Sequence, residues 1–160
     1  MARAFVGLGS NLGDREETLN RAAEALRVLP ETTVRAVSAF RDTAPVGIVD
    51  QPRFLNAVVE LETQLGARKL LEALLGIERS LGRDRLGVPS GGPRTLDLDL
   101  LLYGRAEIAE RGLVVPHPRL AERRFVLEPL SELDPALEVP GKGRVEALLA
   151  KLDSEHEPPR

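Results

Sequence analysis

The 160-residue sequence contains no cysteine, which excludes disulfides and thiolate metal sites. A chain without cysteine suits a reducing compartment, so we expect a cytoplasmic protein. No apolar run approaches the roughly 20 residues that a membrane span needs. The strand-like run that starts at Met1 also lacks the apolar core of a signal peptide. We therefore expect no membrane partner.

Several catalytic signatures are missing as well. The sequence has no G-x-x-x-x-G-K-S/T motif, no H-E-x-x-H motif and no Ser-His-Asp order, so it lacks the signatures of P-loop enzymes, zinc proteases and serine hydrolases. Gly7, Gly9 and Gly13 resemble a dinucleotide fingerprint, but the last spacing is one residue too long. We interpret them as a glycine turn at a strand end, which also suits the edge of a substrate site.

Lysine is scarce, and the net charge is −3 with a sequence pI near 5.5. This balance argues against a nucleic-acid partner, which needs a basic surface. Lysine occurs only at positions 69, 142 and 151, so arginine supplies most of the positive charge. Arginine suits bidentate phosphate contacts, although a bias in the source genome would produce the same excess.

The pattern of apolar residues predicts one domain over residues 1–152 and a polar tail over 153–160. Asp14 and Glu17 have the spacing of a capping box at the start of the first helix, and Pro30 ends that helix. The predicted strands are 4–8, 32–41, 54–62 and 95–103, and later helices cover 67–81 and 143–152. The order β-α-β-β-α-β predicts an α+β fold, a ferredoxin-like antiparallel sheet with helices packed on it and C-terminal additions.

An acidic strand gives the strongest local indication of chemistry. Side chains alternate between the two faces of a strand. Leucines at 96, 98, 100 and 102 therefore share the core face, while Asp97 and Asp99 share the other. Two neighbouring carboxylates suit Mg²⁺, which binds one or two carboxylates together with water and substrate phosphates. An amphipathic strand that exposes its acids to water fits this stretch equally well.

Arginines surround a glycine-rich segment at 82–94, just before this strand. Arg83, Arg85 and Arg94 in a pliable loop are able to close over phosphates and stabilise the group being transferred. His117 lies between two prolines and suits either a phosphate or proton-transfer role or a structural turn. Taken alone, Arg123 and Arg124 are typical of solvated surface charges.

The octapeptide GPRTLDLD at 92–99 resembles the signature of the hydroxymethyldihydropterin pyrophosphokinases. Other segments match in the family's order: GSN at 9–11, TAPVG at 43–47, QPRFLN at 51–56, IE at 77–78, GR at 82–83, VPH at 115–117 and RRF at 123–125. The resemblance extends from Phe5 to about Leu149. It implies a ferredoxin-like enzyme that transfers the β,γ-diphosphate of ATP to the hydroxymethyl oxygen of 6-hydroxymethyl-7,8-dihydropterin and releases AMP, in folate biosynthesis. Separately from the resemblance, we expect a monomer.

The resemblance also assigns roles to individual residues. Asp97 and Asp99 match the acids that hold two Mg²⁺ ions, and they are counted as catalytic with Arg83, Arg85 and Arg94. The ATP-binding positions are Glu78, Arg83, Arg85, Arg94, Thr95, Leu100, His117 and Arg123. The pterin-binding positions are Thr43, Pro45, Val46, Phe54, Asn56 and Phe125. The flat faces of the two phenylalanines and the donor and acceptor of the asparagine suit a pterin.

Some positions differ from the family pattern. Ser90 and Gly91 replace a basic and an aromatic residue, Phe54 replaces a tyrosine, and Pro118 replaces a tyrosine after the histidine. The segments 10–14, 44–53 and 84–92 correspond to the family's mobile loops, and we expect 84–92 to order when both substrates bind. The alternatives are a non-enzymatic ferredoxin-like binding module and an enzyme of the same scaffold that acts on another alcohol.

Overall fold

An antiparallel sheet of five strands forms the centre of the computed structural model, which describes residues 1–43, 53–83 and 96–155. The strands of this sheet are β1 (Ala2–Ser10), β2 (Thr32–Val37), β3 (Arg41–Thr43), β4 (Phe54–Thr63) and β5 (Asp97–Tyr103). The helices are α1 (Arg15–Arg27), α2 (Ala67–Glu78), α3 (Arg124–Leu133) and α4 (Val145–Glu155). Two small hairpins pair β6 (Ile108–Glu110) with β7 (Leu113–Val115) and β8 (Glu138–Val139) with β9 (Gly143–Arg144).

The strand order is β2-β4-β1-β5, and β3 pairs with β4. This order places β1 at the centre and confirms the predicted ferredoxin-like arrangement. None of the helices in the described ranges is long and apolar enough to cross a membrane.

The helices α1 and α2 cover one face of the sheet. Leu19, Ala22 and Leu26 of α1 and Leu70 and Leu74 of α2 are fully buried against this face. They recur at helical spacing, so each helix presents one apolar stripe to the strands. Burying a leucine side chain stabilises the fold by about 1.5–3 kcal/mol.

At the start of α1, the Asp14 carboxylate accepts a hydrogen bond of 3.0 Å from the Glu17 backbone N–H, as the capping prediction requires. The other half of the predicted capping box is wrong, because the Glu17 carboxylate accepts instead from Arg21 at 2.8 Å.

A second core lies on the opposite face, under α3 and α4. Phe5 and Val58 from the sheet pack there with Leu127 and Leu130 of α3 and Val145 of α4. These helices are the C-terminal additions to the basic β-α-β-β-α-β unit. They cover only part of the face, and the part they leave open is described below as the candidate site.

A β-bulge corrects the predicted alternation of β5. Leu96, Leu98 and Leu100 pack in the first core as expected, but Leu102 packs in the second core. The pairing with β1 shifts between Phe5 and Val6, so that Phe5 opposes Leu102 and Val6 opposes Leu100. The extra residue turns the strand over, because a slip of one residue exchanges the two faces.

The predicted strand at 32–41 is wrong in extent. Ala39 leaves the sheet and donates its backbone N–H to the Glu132 carboxylate of α3 at 2.9 Å, so β2 ends at Val37 and β3 starts at Arg41. The predicted helix at 67–81 ends at Glu78 and continues as a π-helical turn over Arg79–Arg83. Gly7 and Gly9 lie inside β1 rather than in a turn, whereas Gly13 has a φ of 65° and does form one.

Candidate active site

A cavity of about 570 Å³ opens on the face of the sheet that α3 leaves uncovered. Strands β1, β3, β4 and β5 form its floor, and residues between 119 and 126 form one wall. Among the described residues it is lined by Gly7, Leu8, Gly9, Thr43, Phe54, Asn56, Ala57, Val58, Asp97, Asp99, Leu101, Arg119, Glu122, Arg123, Phe125 and Val126. A cavity of this size accommodates a small heterocyclic ligand.

Glycine in the central strand keeps the floor of this cavity low. In the strand register, Gly9 lies between Asn56 on β4 and Asp97 on β5, and Gly7 lies between Val58 and Asp99. Residues directly opposite each other in a sheet project on the same face. The polar side chains of β4 and β5 therefore face each other across a strip of β1 that has no side chains.

The acids occupy the β5 side of the cavity, on the shared face that the alternation of the strand predicted. Asp97 and Asp99 both line the cavity and are both half-buried. The strand between them is held by Glu78, whose buried carboxylate accepts from the Leu98 backbone N–H at 2.7 Å. Two adjacent oxygen donors fit a hard cation such as Mg²⁺. Among the described residues, no group of three or more acidic or histidine side chains is placed to hold a metal.

The opposite side of the cavity joins an amide to two aromatic rings. Asn56 is buried, and its side-chain NH₂ donates to the Thr43 hydroxyl on the neighbouring strand β3. Phe54 lies two residues along β4, and Phe125 comes from α3 on the other wall. This end of the cavity offers an oriented polar edge beside apolar ring faces, and both features suit a planar heterocycle.

Positive charge lies along the wall beside the acids. The Arg123 guanidinium is 5.5 Å from the centre of the Phe125 ring and faces it, and Arg119 lines the cavity on the preceding turn. His117 is not among the described lining residues, but its Nδ1 accepts from the Arg119 backbone N–H at 3.2 Å. Burial lowers the pKa of His117, the charge of Asp99 opposes that change, and Arg123 and Arg119 reinforce it.

An ion cluster braces the strand ends next to the cavity. The Asp42 carboxylate accepts from Arg53 Nε at 2.8 Å and from Arg15 Nη2 at 3.2 Å. Arg15 also donates to the Arg53 carbonyl at 2.9 Å. The hydrogen bonds from Arg15 and Arg53 to its carboxylate hold the pKa of Asp42 below its usual value. They tie the first turn of α1 to the residues that precede Thr43 and Phe54.

The structure brings most of the predicted residues that it describes to one place. Cavity-lining positions include Thr43, Phe54, Asn56, Asp97, Asp99, Arg123 and Phe125. Leu100 packs instead in the first core, on the opposite face of β5, and Glu78 acts through its bond to the Leu98 backbone. The predicted roles of Pro45, Val46, Arg85, Arg94 and Thr95 fall outside the described residues, as does the loop at 84–92, and of Arg83 only the backbone is described, in the π-helical turn.

Sequence reasoning missed Arg119 and Glu122, which both line the cavity. They lie on and beside the 3₁₀ turn Leu120–Glu122, and their charged groups approach to 3.7 Å. An Arg and a Glu three residues apart are typical of any exposed turn, so no local pattern distinguished them. The proximity of Arg119 to His117 in the sequence was the one available indication.

Comparison with known proteins identifies the family. Residues 5–135 match the family model for 7,8-dihydro-6-hydroxymethylpterin-pyrophosphokinase. The chain is 46% identical over 153 residues to 2-amino-4-hydroxy-6-hydroxymethyldihydropteridine pyrophosphokinase of Methylorubrum extorquens. The aligned region covers 96% of this chain and 95% of that protein. It is 48% identical over 130 residues to the enzyme of that name from Bacillus subtilis, over 81% of this chain and 77% of that one.

A solved structure supports the fold independently. The Plasmodium falciparum HPPK-DHPS A437G structure with STZ-DHP superposes with a TM-score of 0.77 at 14% identity and covers 96% of this chain. The match spans 46% of that longer protein, so the chain has less than half of its length. At this identity the likeness concerns the fold alone, while the family match and the two bacterial relatives concern the sequence itself. The chain belongs to the 7,8-dihydro-6-hydroxymethylpterin-pyrophosphokinase family.

Proposed function

We propose that this chain binds ATP and 6-hydroxymethyl-7,8-dihydropterin in the cavity and transfers the β,γ-diphosphate of ATP to the pterin, with release of AMP. Pyrophosphate transfer to hydroxymethyldihydropterin in folate biosynthesis is the function of the chain through its family membership. The single observation that supports the cavity as its site is the register across β1. An acidic pair on β5 and a buried amide on β4 face one another over two glycines.

The pterin end of the proposed site is the Asn56 side. The amide of Asn56, oriented by Thr43, would bond the polar edge of the heterocycle, and Phe54 and Phe125 would contact its faces. The hydroxymethyl group would then point along the floor towards β5. This arrangement uses binding energy to bring the alcohol oxygen next to the nucleotide, which is the main source of catalysis when no covalent intermediate forms.

Asp97 and Asp99 would hold Mg²⁺, which when bound would neutralise charge on the polyphosphate. Arg123 and Arg119 line the same wall and are able to contact phosphate oxygens. In the reaction the alcohol oxygen bonds to the β-phosphorus of ATP, the bond from that phosphorus to the α,β-bridging oxygen breaks, and AMP leaves. The hydroxyl proton passes to water. Catalysis therefore rests on positioning and on charge stabilisation.

The test is product identity. The protein is incubated with ATP, MgCl₂ and the pterin alcohol, and nucleotides are separated by chromatography. We expect AMP in equal amount to diphosphorylated pterin and none when the pterin is omitted. ADP in stoichiometric amount would refute the proposed transfer. Affinity for an unhydrolysable ATP analogue that does not depend on Mg²⁺ would favour a non-enzymatic binding module.

We also propose that the enzyme acts as a monomer in the cytoplasm. The absence of cysteine is compatible with a reducing compartment. Sedimentation of the protein at working concentration tests the first statement.

A further inference from the structure

Gly9 lies in the middle of the sheet without any backbone reason for being glycine. Its φ is not in the left-handed region, unlike those of Gly13 and Gly104. Glycine within a strand is about 0.5–1 kcal/mol less favourable than alanine. A strand glycine with ordinary backbone angles often marks a position where another group approaches closely.

The space above Gly9 is next to the amide of Asn56. A Cβ built at Gly9 would be 3.1 Å from Asn56 Oδ1 and 3.8 Å from a ring carbon of Phe54. At Gly7 the same construction meets the Leu101 side chain at 3.4 Å, which is ordinary contact. Asn56 has little freedom to move away, because it is buried and its amide already bonds Thr43.

Gly9 also lies between the two halves of the site. Its neighbours across the strands are Asn56 on one side and Asp97 on the other. Adjacent strands are about 4.8 Å apart, so the backbones of these two residues are roughly 10 Å from each other. A group that passes from a nucleotide near Asp97 to an acceptor held by Asn56 must cross above Gly9.

We propose that Gly9 is a specificity-determining residue of this site. By carrying no side chain, it leaves the Asn56 amide in position for the heterocycle and keeps open the path by which the acceptor alcohol reaches the diphosphate. This inference rests on the proposed function and adds to it the residue that limits how closely the acceptor approaches the floor.

The test is Gly9→Ala in the full chain, with Gly66→Ala as the matched control. Gly66 precedes α2 with φ −66° and nothing within 4 Å of a built Cβ, so the control should behave as wild type. We expect Gly9→Ala to raise KM for the pterin by roughly 10-fold or more, because the amide loses its alignment. Affinity for an ATP analogue should change by less than about 2-fold, because a Cβ at Gly9 contacts Asn56 and Phe54 and has no atom of Asp97 within 4 Å.

A double-mutant cycle with Asn56→Ala separates positioning from general damage. Asn56→Ala removes the atom that the new methyl group would contact, so Gly9→Ala should add little in that background. The double variant also relieves the 3.1 Å contact and provides a folded protein if Gly9→Ala alone is unstable. Losses that multiply would show that Gly9 acts independently of Asn56 and would overturn its role in positioning that amide.

The outcomes distinguish this inference from the proposed function. A wild-type protein that produces no AMP from ATP and the pterin overturns both. An active wild type with an unchanged KM for the pterin in Gly9→Ala overturns the role of Gly9 alone.

Discussion

Replacing Asp99 by asparagine removes the charge of this side chain and keeps its shape. Asp99 and Asp97 are two residues apart on the same face of β5, and both are half-buried. Same-face neighbours on a strand are roughly 7 Å apart. At an effective dielectric constant of about 20, two negative charges at that distance repel by about 2 kcal/mol. Salt and partial exposure weaken this repulsion, so a measurement should show at most about 1 kcal/mol.

The expected effects of Asp99→Asn on stability and on turnover have opposite signs. Without Mg²⁺, the variant should be as stable as wild type or melt up to about 4 °C higher, because a repulsion is lost. With Mg²⁺ and both substrates, turnover should fall by about 100-fold or more, because a group that stabilises charge in the transition state is gone. A purely structural aspartate would show the reverse, with lower stability and nearly normal turnover.

The measurements are initial rates of AMP formation and thermal melts in EDTA. Both are made at pH 8, where His117 is neutral because burial lowers its pKa below the usual 6.5. Glu72→Gln on the exposed side of α2 removes one negative charge elsewhere and serves as the control. Full Mg²⁺-dependent activity in Asp99→Asn would refute the metal assignment, and a melting temperature several degrees lower in EDTA would refute the electrostatic argument.

Two further predictions concern the other parts of the site. Asn56→Ala should weaken pterin binding by roughly 5- to 150-fold, the effect of an unpaired buried polar edge of about 1–3 kcal/mol, while ATP-analogue binding hardly changes in the same titrations. Equal losses for both ligands would make Asn56 structural. Because burial lowers the pKa of His117, the unfolded chain binds a proton more readily than the folded chain. The stability from neutral His117 is therefore complete above about pH 6.5 and is lost as the pH falls through the folded-state pKa. His117→Gln should flatten the melting temperature between about pH 5 and 7, and a profile as steep as that of wild type would contradict this.

The sequence predicted those features that depend on local alternation and spacing. The period of two in β5 placed Asp97 and Asp99 on one face, and helical spacing found the buried stripes of α1 and α2. The order of elements then gave the topology, since a short sheet of this connectivity has few arrangements.

The remaining features depend on neighbours that are distant in sequence. The bulge at Leu101 follows from the register with β1, and the end of β2 follows from the bond between Ala39 and Glu132, which are 93 residues apart. Gly9 is compatible with a turn or with a strand, and only its partners on β4 and β5 show which one it forms. Arg119 had no periodic pattern to indicate that it borders the cavity.

The pairing of Thr43 with Phe54 has a consequence for engineering this chain. The chain leaves the sheet after Thr43 and returns to it at Phe54. The Asp42–Arg53 ion pair and the Thr43–Asn56 bond hold these two strand ends together. In engineering, Asp42, Arg53 and Thr43 should therefore be kept, because they hold the strand ends that carry Phe54 and Asn56.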